Sequence, residues 1–264
     1  MTYLNELDRH ADDPHVKPIN DYVRELRKKE NRFVPFVSPR YGGVNARLLA
    51  VHKSPGVKTK PSSQGGTGFL DVDNPDQAAK RHGGFLEKAG IDLSDMLSWN
   101  SLPWFDADFD DPREWNAGAD ALNEIIDKLD NLSVVMLHGN EAHDMWGVLR
   151  ERHRATAERF SPIETRSLGY ALVNRRHKSQ PEIDAENARL TRDFASAARR
   201  LRHAPKVGTR SYVAAAEAGK ISPPTMKSSH PAEASPTRSK QARPYNPQWD
   251  EDWGREWPLP PNER

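Results

Sequence analysis

Three short apolar runs constrain the fold of this chain more than any other feature. They are Leu48-Leu49-Ala50-Val51, Met96-Leu97-Ser98-Trp99 and Ser133-Val134-Val135-Met136-Leu137. Each is too short for a helix and stops at turn-forming or polar residues, as a strand buried on both faces does. Between them lie helical segments. Pro18 opens one over residues 18–30, with Ile19, Tyr22, Val23 and Leu26 on one face. Asn74-Pro75 opens another that runs to Lys88 and stops at Gly90, with Asn74 as its cap. Asp111-Pro112 starts a third, which carries Leu122, Ile125, Ile126 and Leu129. Gly139-Asn140 leads into a fourth that ends near Arg152. A further strand is predicted within residues 163–176, and a last helix from Asp184 to Leu201. Strands alternating with helices predict an α/β fold built on a parallel sheet. In such sheets ligands bind beyond the carboxyl ends of the strands.

The remaining segments read as connections. Residues 57–73 are rich in Lys, Ser, Gly and Thr and are read as a loop, and the first fourteen as a flexible N-terminus. The main domain spans residues 15–204. From residue 205 to 264 the composition turns to Pro, Ser, Lys and Arg, which predicts a disordered tail. It ends in Trp249, Trp253 and Trp257, a four-residue spacing that aligns three indoles on one helical face. The 249–261 segment is a candidate docking site for a protein partner.

Composition narrows the chemistry. The 264 residues contain no cysteine, which excludes disulfides, thiolate nucleophiles and iron–sulfur clusters. The formal net charge is +1, so non-specific attraction to nucleic acid is modest. No stretch approaches the roughly 18 apolar residues of a membrane span. No signal-peptide core is visible at the start, and a cytoplasmic, monomeric protein of bacterial or phage origin, associated with the nucleoid, is expected. His138, His143 and His153 match no tight zinc spacing and are read as surface or helix-packing residues. Asp106, Asp108, Asp110 and Asp111 lack the glycine and closing glutamate of a calcium loop and are read as solvated surface.

Five segments carry the functional signal, three of them directly after a predicted strand. They are Ser54-Pro55-Gly56, Thr67-Gly68-Phe69, Trp99-Asn100-Ser101-Leu102-Pro103-Trp104, Val134-Val135-Met136-Leu137-His138-Gly139 and Arg176-His177-Lys178-Ser179. Each alone also reads as an ordinary turn, loop or packing segment. Taken together and in this order, they resemble the motif set of the uracil-DNA glycosylase superfamily, over about residues 14–204. The resemblance implies a three-layer α/β/α sandwich around a four-stranded parallel sheet. It implies an enzyme that flips uracil or another deaminated base out of DNA and hydrolyses its N-glycosidic bond, without a metal or organic cofactor.

What the resemblance implies for single residues follows from that chemistry. Phe69 would stack on the extruded base, and Asn100 would read its Watson–Crick edge, donating to O4 and accepting from N3–H. His177 would stabilise the departing anion by donating toward O2. Ser54 would hold the attacking water, with Pro55 and Gly56 at the phosphate backbone. Ser179 would bind a phosphate, and Lys178 and Gln180 would enter the groove. The chain departs from the family pattern twice. His52-Lys53-Ser54-Pro55-Gly56 lacks the usual carboxylate, and His177 is followed by Lys178 where the family has proline. Lys53 stands either against a phosphate or as an amine near the sugar C1′, where Schiff-base chemistry would give lyase activity. Loss of the carboxylate equally suits a silent glycosylase-like DNA binder, or an adaptor working through its tryptophan tail.

Overall fold

The computed structural model describes residues 7–61, 66–169 and 179–204. Its centre is a four-stranded parallel sheet formed by β2 (Leu48–His52), β4 (Met96–Asn100), β5 (Val134–His138) and β6 (Ile163–Thr165), in the spatial order β4-β2-β5-β6. The three apolar runs are its three longest strands, and every residue of β4 and β5 is buried. A parallel strand covered on both faces has no solvated side to mark with polar residues, which is why these runs do not alternate.

The helices are α1 (Lys17–Glu30), α2 (Gln77–Ala89), α3 (Pro112–Asp127), α4 (Asn140–Arg152), the single turn α5 (Arg154–Ala157) and α6 (Gln180–His203). α2 packs against α6, and α3 against α4. Arg81 ties the first pair together: it donates to the Leu168 carbonyl at 3.2 Å and to Asn187 Oδ1 on α6 at 2.7 Å. Local signals set the helix ends. Asp111 accepts from the Arg113 backbone N–H, and Gly90 closes α2 at φ +67°.

Several boundaries differ from those expected. Asp76, not Asn74, caps α2 by accepting from Ala79 N–H. Asn74 is buried, accepting from Thr67 Oγ1 at 2.6 Å and donating to the Phe69 carbonyl at 2.9 Å. α6 begins at Gln180, four residues before Asp184, because Ser179 and Glu182 form a capping box. The segments read as loops contain a second, two-stranded parallel sheet, β1 (Phe36–Val37) with β3 (Phe69–Leu70). Residues 7–14 are folded onto it: Leu7 and Ala11 are buried against Phe69. Two-residue strands carry no periodicity to read. The 205–264 tail lies outside the described residues.

Chain order places β4 and β5 on opposite sides of β2. The connection after β2 runs through α2, and the one after β5 through α4. The β2–β5 boundary is therefore the topological switch point, where open α/β sheets form their ligand crevice.

Gly139 makes the turn from β5 into α4 at φ +93°, ψ 172°. Only glycine occupies that region readily. A Cβ there would also stand 2.9 Å from the Cβ of Ser167. Gly139→Ala is expected to lower unfolding free energy by about 2–4 kcal/mol in denaturant titrations. Gly147→Ala, with open space around the added Cβ within α4, should instead stabilise by about 0.5–1 kcal/mol.

Candidate functional site

Register builds the site. Leu48 to His52 pair in step with Met96 to Asn100, so His52 stands beside Asn100. Val51 pairs with Leu137, so the next residues, His52 and His138, also stand side by side. His138 pairs with Thr165 on β6. Residues at one register level point to the same face of a parallel sheet. Asn100, His52, His138 and Thr165 therefore form a polar row across the carboxyl end of all four strands. Two positions earlier the same face carries Ser98, Ala50, Met136 and Ile163, a mostly apolar row.

Helices close over this row. α2 brings His82 onto the two strand histidines, with ring centroids 4.9 Å from His52 and 5.4 Å from His138. His52 and His138 stack at 4.7 Å with an 11° angle between planes. α6 supplies Phe194, which touches the rings of His82 and His138, and Asp193, which accepts from Thr165 Oγ1 at 2.7 Å. His82 and His138 are 3% and 2% exposed. Among the described residues, His52, His82 and His138 are the one group of three histidine or carboxylate side chains with mutually close ligand atoms, all within 4.8 Å of one another.

The cluster is short of hydrogen bonds. Among the described residues, Nε2 of His82 and both ring nitrogens of His138 are buried and none makes a well-formed hydrogen bond. Burial pushes the His52 imidazole down to about 4, and burial, helped by the neighbouring His52, pushes His82 and His138 well below their ordinary value. The Arg166 backbone, within hydrogen-bonding reach of His138, opposes that shift. At neutral pH all three rings are uncharged, the form that ligates metals.

His138 is thus not a surface residue; it is buried and packs against His82 of α2 and Phe194 of α6. His143 contacts the Leu137 carbonyl through Nε2 at 3.1 Å, and His153 pairs with Asp120 at 2.7 Å. His52 and His82 belong to no recognisable spacing, because the residues that meet are separated by whole strand–helix units.

The segments singled out from sequence fall largely on this same edge. Asn100 is 2% exposed, and its Nδ2 has no hydrogen-bond partner. Trp99 and Trp104 are core residues. Ser54, Pro55 and Gly56 follow β2, with Ser54 half-buried, Pro55 buried and Gly56 exposed. The Gly56 carbonyl accepts from the Thr59 hydroxyl at 2.6 Å, and Val57 next to it is an exposed apolar residue. Ser101 anchors this loop region by donating from N–H and Oγ to the His52 carbonyl, at 2.7 and 2.9 Å.

Lys53 is engaged. Its ammonium pairs with Glu141 Oε1 at 2.8 Å and lies 4.6 Å over the Phe109 ring. Burial, the largest single influence, raises the Glu141 carboxyl, but the Lys53 hydrogen bond and charge, a backbone hydrogen bond and nearby His143 together outweigh it and hold the group below its usual range. A carboxylate from the first turn of α4 therefore lies against the 52–56 segment.

Other expected contacts take a different form. Phe69 is 1% exposed and packs on Phe36 at 5.7 Å, within the cluster of Leu7 and Ala11, so its ring is occupied by packing rather than displayed for stacking. Ser179 Oγ donates to Glu182 Oε2 at 2.8 Å, and Gln180 donates to Asp184 Oδ1 at 2.8 Å. Both serve the start of α6 in this conformation. His177 and Lys178 lie outside the described residues.

The low proton affinity of the three histidines sets an acid limit. Below about pH 6.5 the unfolded chain takes up protons on these residues that the folded chain refuses, down to about pH 4 for His52. The unfolded state then binds more protons, so stability rises with pH across this window and falls as pH drops through it. His82→Phe should flatten the dependence of unfolding free energy on pH by up to about 1.4 kcal/mol per pH unit. Urea unfolding at several pH values would read the difference, and equal slopes would show that His82 is not kept neutral by the fold.

In comparisons with known proteins, no protein-family model and no curated protein matches this chain.

Proposed function

We propose that this chain is a DNA glycosylase of the uracil-DNA glycosylase type, hydrolysing the N-glycosidic bond of uracil or another deaminated base in DNA. The observation that carries this reading is Asn100. Its amide nitrogen is a buried donor with no partner among the described residues, held on the last residue of the outer strand β4 at the carboxyl edge where α/β sheets bind ligands. Leaving such a donor unpaired costs about 1–3 kcal/mol, which a base edge would relieve. The parallel sheet suits the three-layer sandwich that the family resemblance implies.

The other roles follow. Ser54 holds the attacking water beside the sugar, and Pro55 and Gly56 meet the backbone. The Glu141 carboxylate, ionised and 2.8 Å from Lys53, stands in for the carboxylate the 52–56 segment lacks. This arrangement favours Lys53 as an ion-pair and phosphate partner over Lys53 as a Schiff-base nucleophile. His177 donates to the leaving base, while Lys178, Ser179 and Gln180 meet the DNA. Phe69 would stack on a base only if its packing on Phe36 opened.

A second reading is a silent uracil-DNA binder. The Lys53–Glu141 pair favours it, because the carboxylate paired to the 52–56 segment is already neutralised by an amine.

The test is cleavage of labelled oligonucleotides carrying one uracil, hypoxanthine or xanthine, single- and double-stranded, followed by alkali. Cleavage is expected at the modified base, reduced about 10- to 100-fold in Asn100→Ala and lowered in His177→Ala. Tight binding without cleavage at enzyme excess would select the silent binder. Neither binding nor cleavage by the folded protein would end the glycosylase reading.

A further inference from the structure

We propose that His52, His82 and His138 form a binding site for one divalent transition-metal ion, with zinc the best match to the ligand set. This inference does not rest on the glycosylase reading.

Three features of the cluster support it. The first is donor chemistry. Three neutral imidazoles and no carboxylate or thiolate among the close ligand atoms form a nitrogen set, which suits zinc and its first-row neighbours and not magnesium or calcium. Three protein ligands leave one tetrahedral position for water or another small ligand.

The second is unmet hydrogen bonding. A neutral imidazole carries one N–H donor and one bare acceptor nitrogen. On His138 both are buried without a well-formed hydrogen bond among the described residues, and on His82 so is Nε2. A cluster retained only for packing would not need nitrogen at these positions: Phe85 and Phe194 stack beside it at 5.4 Å, and a third phenyl ring would serve as well. A metal ion uses the bare nitrogens, and the Arg166 backbone beside His138 is at hand for the remaining proton of that ring.

The third is position. The two strand histidines flank the β2–β5 switch point, where the topology opens a crevice. His52, the half-buried member of the three, directly precedes the Lys53–Gly56 loop at the end of β2. Asn100 brings its unpartnered Nδ2 to the same row, as a donor toward a ligand in the open position.

The geometry requires a modest closure. Zinc–nitrogen bonds of about 2.0–2.1 Å in a tetrahedron place nitrogens roughly 3.3 Å apart. The ligand atoms here lie within 4.8 Å of one another, so ring rotations of about an ångström suffice. The near-parallel stack of His52 and His138 must open as they occur.

The experiment uses the full chain, stripped with chelator and titrated with zinc chloride by calorimetry. Cobalt chloride in parallel gives a visible absorption band that reports tetrahedral nitrogen coordination. One ion per chain is expected, with a cobalt band and no response to magnesium. His82→Phe keeps an aromatic ring on the Phe194 contact and removes both nitrogens. It should fold and lose affinity by more than about 100-fold, a larger effect than loss of a partner behind a ligand. His52→Ala, at the more open corner, gives the same reading should His82→Phe fail to fold. His153→Gln, outside the cluster, should bind like the parent. No ion uptake by the folded parent would overturn the proposal. So would uptake that His82→Phe and His52→Ala leave unchanged, which would place the ion on other histidines.

Discussion

The parallel register of four strands is the constraint on which the site depends. Because Leu48 meets Met96 and Val134 in step, the strands end level, and their last residues share one face. A slip of one residue would turn His52 or His138 to the opposite face and bury a leucine, valine or tryptophan in its place. The apolar bodies of the strands hold that register. Leu48, Leu49, Ala50 and Val51, and their neighbours on β4 and β5, are fully buried. A sheet so buried tolerates a polar row only at its end, where helices α2 and α6 can meet it with their own side chains.

That row is costly as the chain stands. Unpartnered polar atoms on Asn100, His82 and His138 each forgo a hydrogen bond worth about 1–3 kcal/mol. Total stabilities of domains are only about 5–15 kcal/mol, so several such deficits in one patch are a substantial concession. Four of the seven such atoms among the described residues sit together here, the others being Arg47 Nε, Trp99 Nε1 and Asn123 Oδ1. Contrast the second sheet, where Asn20 donates to the Ala11 carbonyl and accepts from Val37 N–H, and where Thr67, Asn74 and Phe69 satisfy one another. Buried polar groups there are saturated, as those of a purely architectural network should be.

Much of the architecture was legible because it rests on local signals. Apolar runs ending at turn residues marked β2, β4 and β5 to within a residue, and Asp111-Pro112 and Gly90 marked helix ends. Asn100 was legible too, since strand, amide and turn are contiguous. The histidine cluster was not. Its members are thirty and fifty-six residues apart along the chain, and only pairing register plus the docking of α2 brings them together. The same holds for Glu141, which the sequence separates from Lys53 and the β5–α4 turn returns to it. The packing of Phe69 was hidden for a related reason: Thr-Gly-Phe leads into a two-residue strand whose aromatic partner, Phe36, lies far upstream.

The two proposals meet on one register row, and their chemistry bears on each other. Glycosidic hydrolysis needs a placed water and a stabilised leaving anion, and fixed hydrogen-bond donors can supply both. A metal held by three imidazoles would instead lower the pKa of a water bound at its fourth position and bring a positive charge to the edge where Asn100 stands. Asn100 neighbours His52 directly in register, so an ion there and a base at Asn100 would feel one another electrostatically. Binding of one should alter the affinity for the other by an equal factor in both directions. A structural metal, by contrast, would stabilise α2 and α6 over the sheet without touching base affinity. Reciprocity between zinc and uracil-DNA therefore distinguishes an ion that belongs to the chemistry from one that belongs to the fold.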